Sequence, residues 1–264
     1  MEKNKSKSLN INKSVICYRN NFNKKQIDEI FKTIIALFKF NFPELFNWVP
    51  KKVNSMIWKS QKFQNSIIKA RKVSKKKFGK IYDTLQSTTA LKSMMTSERI
   101  LSIVEKYTNE KRDKLVGFNS IVRFDPPFDD KNSVDWHYDL YPNSGLKVNP
   151  INGVSVTVAF HDTKISHGAP IFLINSHTEN IPLRVKKNNN NHSDTYSIDN
   201  KYTNSFERKY FESKIGDILI FPMKMIHKSG KNVSNQIRIS GLFRYYPINK
   251  KEFIALKERY IPVK

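Results

Sequence analysis

Residues able to do chemistry together are concentrated in Asp135-Trp136-His137-Tyr138-Asp139 and at His227. His137 and Asp139 are two apart. On extended backbone, side chains two apart point to the same face, so this spacing aims one imidazole and one carboxylate at one place. A second imidazole from a distant strand, that of His227, would complete two nitrogens and one carboxylate oxygen on one side of a metal. That donor set suits iron(II) and leaves positions open for O2 and a cosubstrate. An isolated H-x-D pair is more often a plain surface hydrogen-bonded pair, so the segment around His227 has to decide.

That segment runs from His227 through the polar Ser229, Asn232 and Ser234 to Arg238, eleven residues on. The length allows the chain to turn and return antiparallel, which would put Arg238 on the strand beside His227. A buried arginine is costly unless paired. The distal carboxylate of a dicarboxylate cosubstrate would supply a bidentate partner.

The elements that must position these residues show in the hydropathy pattern. Residues 1–24 are polar and basic and read as a flexible arm with some order near Val15 to Tyr18. Ile27, Ile30, Phe31, Ile34 and Phe38 recur at helical spacing and predict a helix over Lys25 to Phe40. A second helix is predicted over Met56 to Val73. It runs into the basic cluster Lys69, Arg71, Lys72, Lys75, Lys76, Lys77 and Lys80, which reads as a solvated helix face. A third is predicted over Ser97 to Asn109, with Ser97 as its N-cap. Strands follow. Leu115 to Phe124 ends at Pro126-Pro127, and Gly153 to His161 alternates with Val154, Val156, Val158 and Phe160 on one face. Pro170 to Ile174, Ile215 to Pro222 and Gln236 to Tyr246 are further strands. Residues 187–204, rich in Asn, Lys and Ser, read as a mobile insertion or lid loop. Lys250 to Lys257 reads as a short terminal helix. Helices followed by short strands predict a mostly β fold with a helical N-terminal part, a jelly-roll barrel braced by the helices.

Composition narrows the class. The chain has 264 residues, 39% hydrophobic and 12% aromatic, which describes a globular protein. Cys17 is the one cysteine, so no intramolecular disulfide and no cysteine-based zinc site can form. No apolar run reaches the length of a membrane span, and Met1 to Ser8 lacks the apolar core of a secretory signal. A soluble, cytoplasmic protein is expected. The net charge is +24, which favours anionic partners. Yet 37 of the 47 basic residues are Lys, a bias that A/T-rich coding produces without functional demand.

Four blocks, taken in order over roughly residues 115 to 246, resemble the phytanoyl-CoA dioxygenase family. They are His137-Tyr138-Asp139, GAPIFLINSH (Gly168 to His177), GDILIF (Gly216 to Phe221) and HKSGKNVSNQIR (His227 to Arg238). Members of that family are Fe(II)- and 2-oxoglutarate-dependent oxygenases with a double-stranded β-helix, cupin-like core. The resemblance implies one oxygenase domain over 25–264, with 25–114 as helical support and 115–246 as core. It implies that His137, Asp139 and His227 bind iron, that Arg238 clamps the C5 carboxylate of 2-oxoglutarate, and that Ser229 bonds the same cosubstrate. Asn119 and Arg123, on the preceding strand, are candidates for the C1 end or for substrate, a surface ion pair being the other reading of Arg123. Tyr138 stands where the family often has Gln and is a candidate for the substrate side. Trp136 is either a core aromatic or a border of the pocket. Asn175-Ser176-His177 replaces a family Gly-Ser-His turn. His161 reads as a strand end, His167 and His192 as loop residues.

Related halogenases lack the carboxylate ligand, so Asp139 points to hydroxylation. The expected reaction is O2-dependent hydroxylation of an unactivated C–H bond with release of succinate and CO2. The expected substrate is a small or medium anionic metabolite: an acyl thioester, a phosphonate, or a nucleotide- or lipid-linked sugar. Two other classes compete. One is a nucleic-acid-binding or nucleic-acid-modifying oxygenase using the Lys69 to Lys80 cluster; the sequence lacks the aromatic-basic interleaving that stacks bases. The other is a non-catalytic, ligand-binding jelly roll, against which the complete ligand set argues. Peripheral association with an anionic surface is compatible with the charge.

Overall fold

A computed structural model describes residues 8–12, 15–129, 135–139, 152–186 and 195–248. Two short strands, β1 (Ser8–Asn12) and β2 (Val15–Tyr18), precede the helices α1 (Lys24–Asn41), α2 (Gln61–Val73), α3 (Lys75–Gln86), α4 (Thr89–Met95) and α5 (Glu98–Thr108). Then come β3 (Leu115–Asp125), β4 (Val154–Ala159), β5 (Pro170–Leu173), β6 (Arg184–Lys186) and β7 (Thr195–Ser197). A short α6 (Asn200–Thr203), β8 (Arg208–Tyr210), β9 (Ile218–Pro222), β10 (His227–Ser229) and β11 (Arg238–Pro247) complete the described chain.

The three predicted helices form as α1, α2 and α5, whereas α3 and α4 were not predicted as separate helices. Asn23 accepts from the Lys25 N–H to start α1, and its stripe Ile27, Ile30, Phe31, Ile34 and Phe38 is buried. Ser97 caps α5, and Asn109 closes it in the left-handed conformation. The predicted second helix begins later than expected, because Ser55–Lys59 is a 3₁₀ turn. The lysine-rich stretch continues as α3, where Phe78, Ile81 and Leu85 are buried and the lysines stay exposed. No helix among the described residues is long and apolar enough to cross a membrane.

The strands make a six-stranded antiparallel sheet in the order β1-β2-β9-β4-β11-β3, a three-stranded antiparallel sheet β10-β5-β8, and the pair β6-β7. The architecture is mixed helix and antiparallel sheet, and among the described residues no closed barrel forms. Of the segment expected as a flexible arm, Val15–Tyr18 is ordered as β2 and pairs with β9. Residues 195–204 of the expected insertion loop carry β7 and α6, whereas 187–194, His192 among them, lie outside the described residues, as does the predicted helix Lys250 to Lys257.

Alternation along the large sheet sorts two environments. Val122, Phe124, Val154, Val156, Val158, Phe160, Ile218, Ile220, Ile237, Ile239, Phe243 and Tyr245 join the buried faces of α1–α5 in one core. Each such side chain contributes about 1.5–3 kcal/mol on leaving water. The residues between them, Ile121, Arg123, Thr157, Ala159, Leu219, Phe221, Arg238, Ser240, Leu242 and Arg244, turn to the other face and line a cavity. Pro170 and Phe172 of β5 and His227 to Ser229 of β10 also line it. The helices thus brace one face of the large sheet, and the site occupies the other.

Candidate metal centre

His137 and His227 are held together by backbone. They exchange N–H···O bonds of 3.0 and 2.9 Å, an isolated antiparallel bridge that adds the H-x-D segment to the edge of the small sheet. On its other side His227 pairs with Phe172. The turn before His227 is pinned from Asn175-Ser176-His177: the Ser176 hydroxyl donates to the Leu173 carbonyl at 2.7 Å and accepts the Ile226 N–H at 2.9 Å. Asn175 adopts φ +65°, a conformation Asn tolerates.

One donor atom from each of His137, Asp139 and His227 lies within 4.8 Å of the others, and all three residues are buried. The imidazole tautomers follow from their partners. Nδ1 of His137 faces the Asp135 carbonyl at 2.7 Å, and Nδ1 of His227 faces the Met225 carbonyl at 2.9 Å. A carbonyl only accepts, so each Nδ1 carries the proton and each Nε2 presents a lone pair. Burial, reinforced by His227, pushes the His137 pKa down to about 3. Burial also lowers that of His227. Burial would raise Asp139, but Arg244, His227 and His137 outweigh it and keep the carboxyl ionised. Two neutral imidazoles and one carboxylate is the donor set iron(II) takes, and the residues present fit the metal.

The cavity holds about 240 Å³. Arg238 lines it with its guanidinium on Asp125, Nε and Nη2 reaching Oδ2 at 2.9 and 2.7 Å, while Nη2 also meets the Ser229 hydroxyl at 3.0 Å. Arg123 takes the other oxygen, Nε to Oδ1 at 2.9 Å. One carboxylate between two guanidiniums leaves a net positive wall. Burial would raise Asp125, yet Arg123 and then Arg238 hold it below the usual range. The expected strand neighbourhood is corrected here: β11, which carries Arg238, pairs with β3 and β4, and β10 pairs with β5. Arg238 reaches Ser229 across the gap between sheets, because the chain crosses over after His227 instead of turning back beside it.

The remaining sequence candidates separate. Asn119 and Arg123 line the cavity. Asn119 sits at φ +48° in a bulge where Leu242 pairs with Ile121 but Arg244 pairs with Phe118, which turns its carbonyl toward Arg244 Nη1 at 3.4 Å. Trp136 and Tyr138 are not among the lining residues. Trp136 is buried with Ile171, Leu173, Ile198 and Ile226, under Lys228 Nζ at 4.4 Å from its ring centre. Tyr138 packs partly buried against Phe118, Met223 and Tyr246. His161 closes the end of β4, stacked on Trp58 at 3.8 Å, and His167 lies in the loop after it. Sequence reasoning missed Asp125, Ser155 and Arg244. Counting by twos along β11 from Arg238 reaches Arg244, so that residue was within reach of the pattern.

The family model for phytanoyl-CoA dioxygenase (PhyH) matches residues 16–240. The chain belongs to that family. Solved structures similar to this PhyH chain include the non-heme monooxygenase ThoJ in its apo form, 16% identical over 84% of this chain and 77% of that one, TM-score 0.49. The epimerase SnoN in complex with Fe3+, alpha ketoglutarate and nogalamycin RO is 18% identical over 62% and 61%, TM-score 0.49. EvdO2 from Micromonospora carbonacea var. aurantiaca complexed with 2-oxoglutarate is 15% identical over 64% of each chain, TM-score 0.47. This PhyH chain therefore spans less than two thirds of SnoN and of EvdO2, and such distant likeness adds no argument to the family match. No curated protein matches the sequence.

Proposed function

We propose that this PhyH-family protein is an Fe(II)- and 2-oxoglutarate-dependent dioxygenase that hydroxylates an unactivated C–H of a small or medium anionic metabolite. Its core is read as a double-stranded β-helix within a single cytoplasmic domain that takes in β2. The observation that carries the reading is the convergence of His137, Asp139 and His227 on a cavity that Arg238 also lines.

Each residue has a task the geometry supports. The two Nε2 atoms and the Asp139 carboxylate hold the iron. Arg238 and Ser229, already joined, receive the distal carboxylate of 2-oxoglutarate by charge-assisted hydrogen bonds. Asn119 serves the C1 end of the cosubstrate or the substrate, and Arg123 faces the substrate. When bound, the iron supplies oxidative chemistry that couples decarboxylation of 2-oxoglutarate to C–H hydroxylation by O2. Phe172, Leu219, Phe221 and Leu242 line the cavity with apolar surface that excludes competing water. Arg123 and Lys228 on the cavity wall, the lining cations assigned neither to the cosubstrate nor to Asp139, favour an anionic substrate, such as an acyl thioester, a phosphonate, or a nucleotide- or lipid-linked sugar.

The test is succinate release by the protein with Fe(II), 2-oxoglutarate and O2 against a panel of such metabolites. At least one should raise succinate formation and gain one oxygen atom from labelled O2. Release that no metabolite raises, with none acquiring label, contradicts the substrate class.

A further inference from the structure

The Asp139 carboxylate is gripped from the large sheet by two side chains outside the ligand set. Arg244 on β11 and Ser155 on β4 are direct partners in the strand register. Arg244 Nη2 donates to Asp139 Oδ1, and the Ser155 hydroxyl donates to Oδ2. Both are buried. The two histidines, in contrast, are fixed by backbone at the edge of the small sheet. The ligand set is thus assembled from both sides of the cavity, and the Arg244–Ser155 pair ties its carboxylate to the large sheet.

Arg244 puts a charged group at a buried position of the cavity-lining face of β11. Its Nε is buried with no acceptor among the described residues, and a buried unsatisfied donor is destabilising. A residue that breaks the packing rule beside a site points to the partner it serves, and here that partner is Asp139.

We propose that Arg244 and Ser155 are positioning residues of the metal centre. The inference rests on the metal reading above and goes beyond it. With each oxygen held by its own donor, the Asp139 carboxylate is fixed in place and orientation, and each oxygen keeps a lone pair with which it would bind the metal.

The experiment titrates the full chain with Co(II), following its visible ligand-field bands, with no cosubstrate or turnover involved. Thermal melts are run beside it. Arg244→Gln should weaken Co(II) binding by about 10- to 100-fold and change the band shape, the scale found when a ligand's supporting partner is lost. Arg244→Lys, which restores the charge, should recover most of the affinity. Ser155→Ala removes only a hydroxyl; it should keep the wild-type melting temperature and still shift the bands, so it decides the matter if Arg244→Gln fails to fold. Wild-type affinity and spectrum in every folded variant would overturn the positioning role while leaving the metal site standing. A wild-type protein that binds no Co(II) would overturn the metal site and this inference with it.

Discussion

His137 and His227 exchange both of their backbone hydrogen bonds, so the two imidazoles meet because the chain is paired, with ring centres 4.4 Å apart. A site assembled by backbone does not need the metal to form it. His137→Ala should therefore abolish Fe(II) binding while leaving the circular dichroism spectrum unchanged and costing about 1–2 kcal/mol in urea unfolding, the scale of an ordinary substitution. Unfolding of the variant, or of the metal-free wild type, would contradict this.

Arg238 works for the fold through Asp125, and in the proposed function it also receives the cosubstrate. Arg238→Ala leaves Asp125 buried with Arg123 as its remaining guanidinium. A loss of about 3 kcal/mol is expected, at the low end of the cost of breaking a buried ion pair, because Arg123 still faces the carboxylate. The same variant should bind 2-oxoglutarate at least tenfold more weakly. Denaturant melts and an isothermal titration read the two effects separately.

Acid sensitivity follows from His161. Its Nδ1 donates to the Asp162 carbonyl at 2.8 Å and its Nε2 accepts the Ile239 N–H at 2.9 Å, so both nitrogens are committed to the neutral ring. Burial lowers its pKa to about 3, against about 6.5 in the unfolded chain. The unfolded state takes up the proton first. Stability is therefore complete above pH 6.5 and falls as pH drops toward 3, by about 1.4 kcal/mol per pH unit for this group. Urea midpoints between pH 7.5 and 5 should show the slope, and His161→Gln should flatten it by about one proton.

Trp136 is a structural residue in this arrangement. Trp136→Ala should cost about 3–5 kcal/mol through the void it leaves, whereas Trp136→Phe should preserve the order in which the enzyme prefers its substrates. Competition assays on any pair of accepted metabolites check this, and a reversed preference would return Trp136 to the substrate wall.

The meeting of His137 and Asp139 was legible because H-x-D spacing on extended chain fixes a common face, and the buried face of β4 was legible because that strand alternates cleanly. The eleven-residue interval from His227 to Arg238 picked out an arginine that lines the cavity but gave it the wrong strand neighbour, since spacing along a chain does not say which sheet the chain crosses to. Ser155 looks like any small polar residue in an apolar strand, and only the register with Arg244 gives it a role. Asp125 sits at a strand end before Pro126, where a surface acid is as ordinary as a buried one. The strands β1 and β8 are short and half polar, and they form because neighbours offer open edges, which no local pattern records.

The central claim is tested most directly by titrating the anaerobic, metal-free protein with Fe(II) and 2-oxoglutarate and watching for the visible charge-transfer band of the chelate. A band should appear at one equivalent, vanish in His137→Ala and weaken in Arg238→Ala. Folded wild-type protein that gives no band would contradict the assignment of this cavity as an iron and 2-oxoglutarate site.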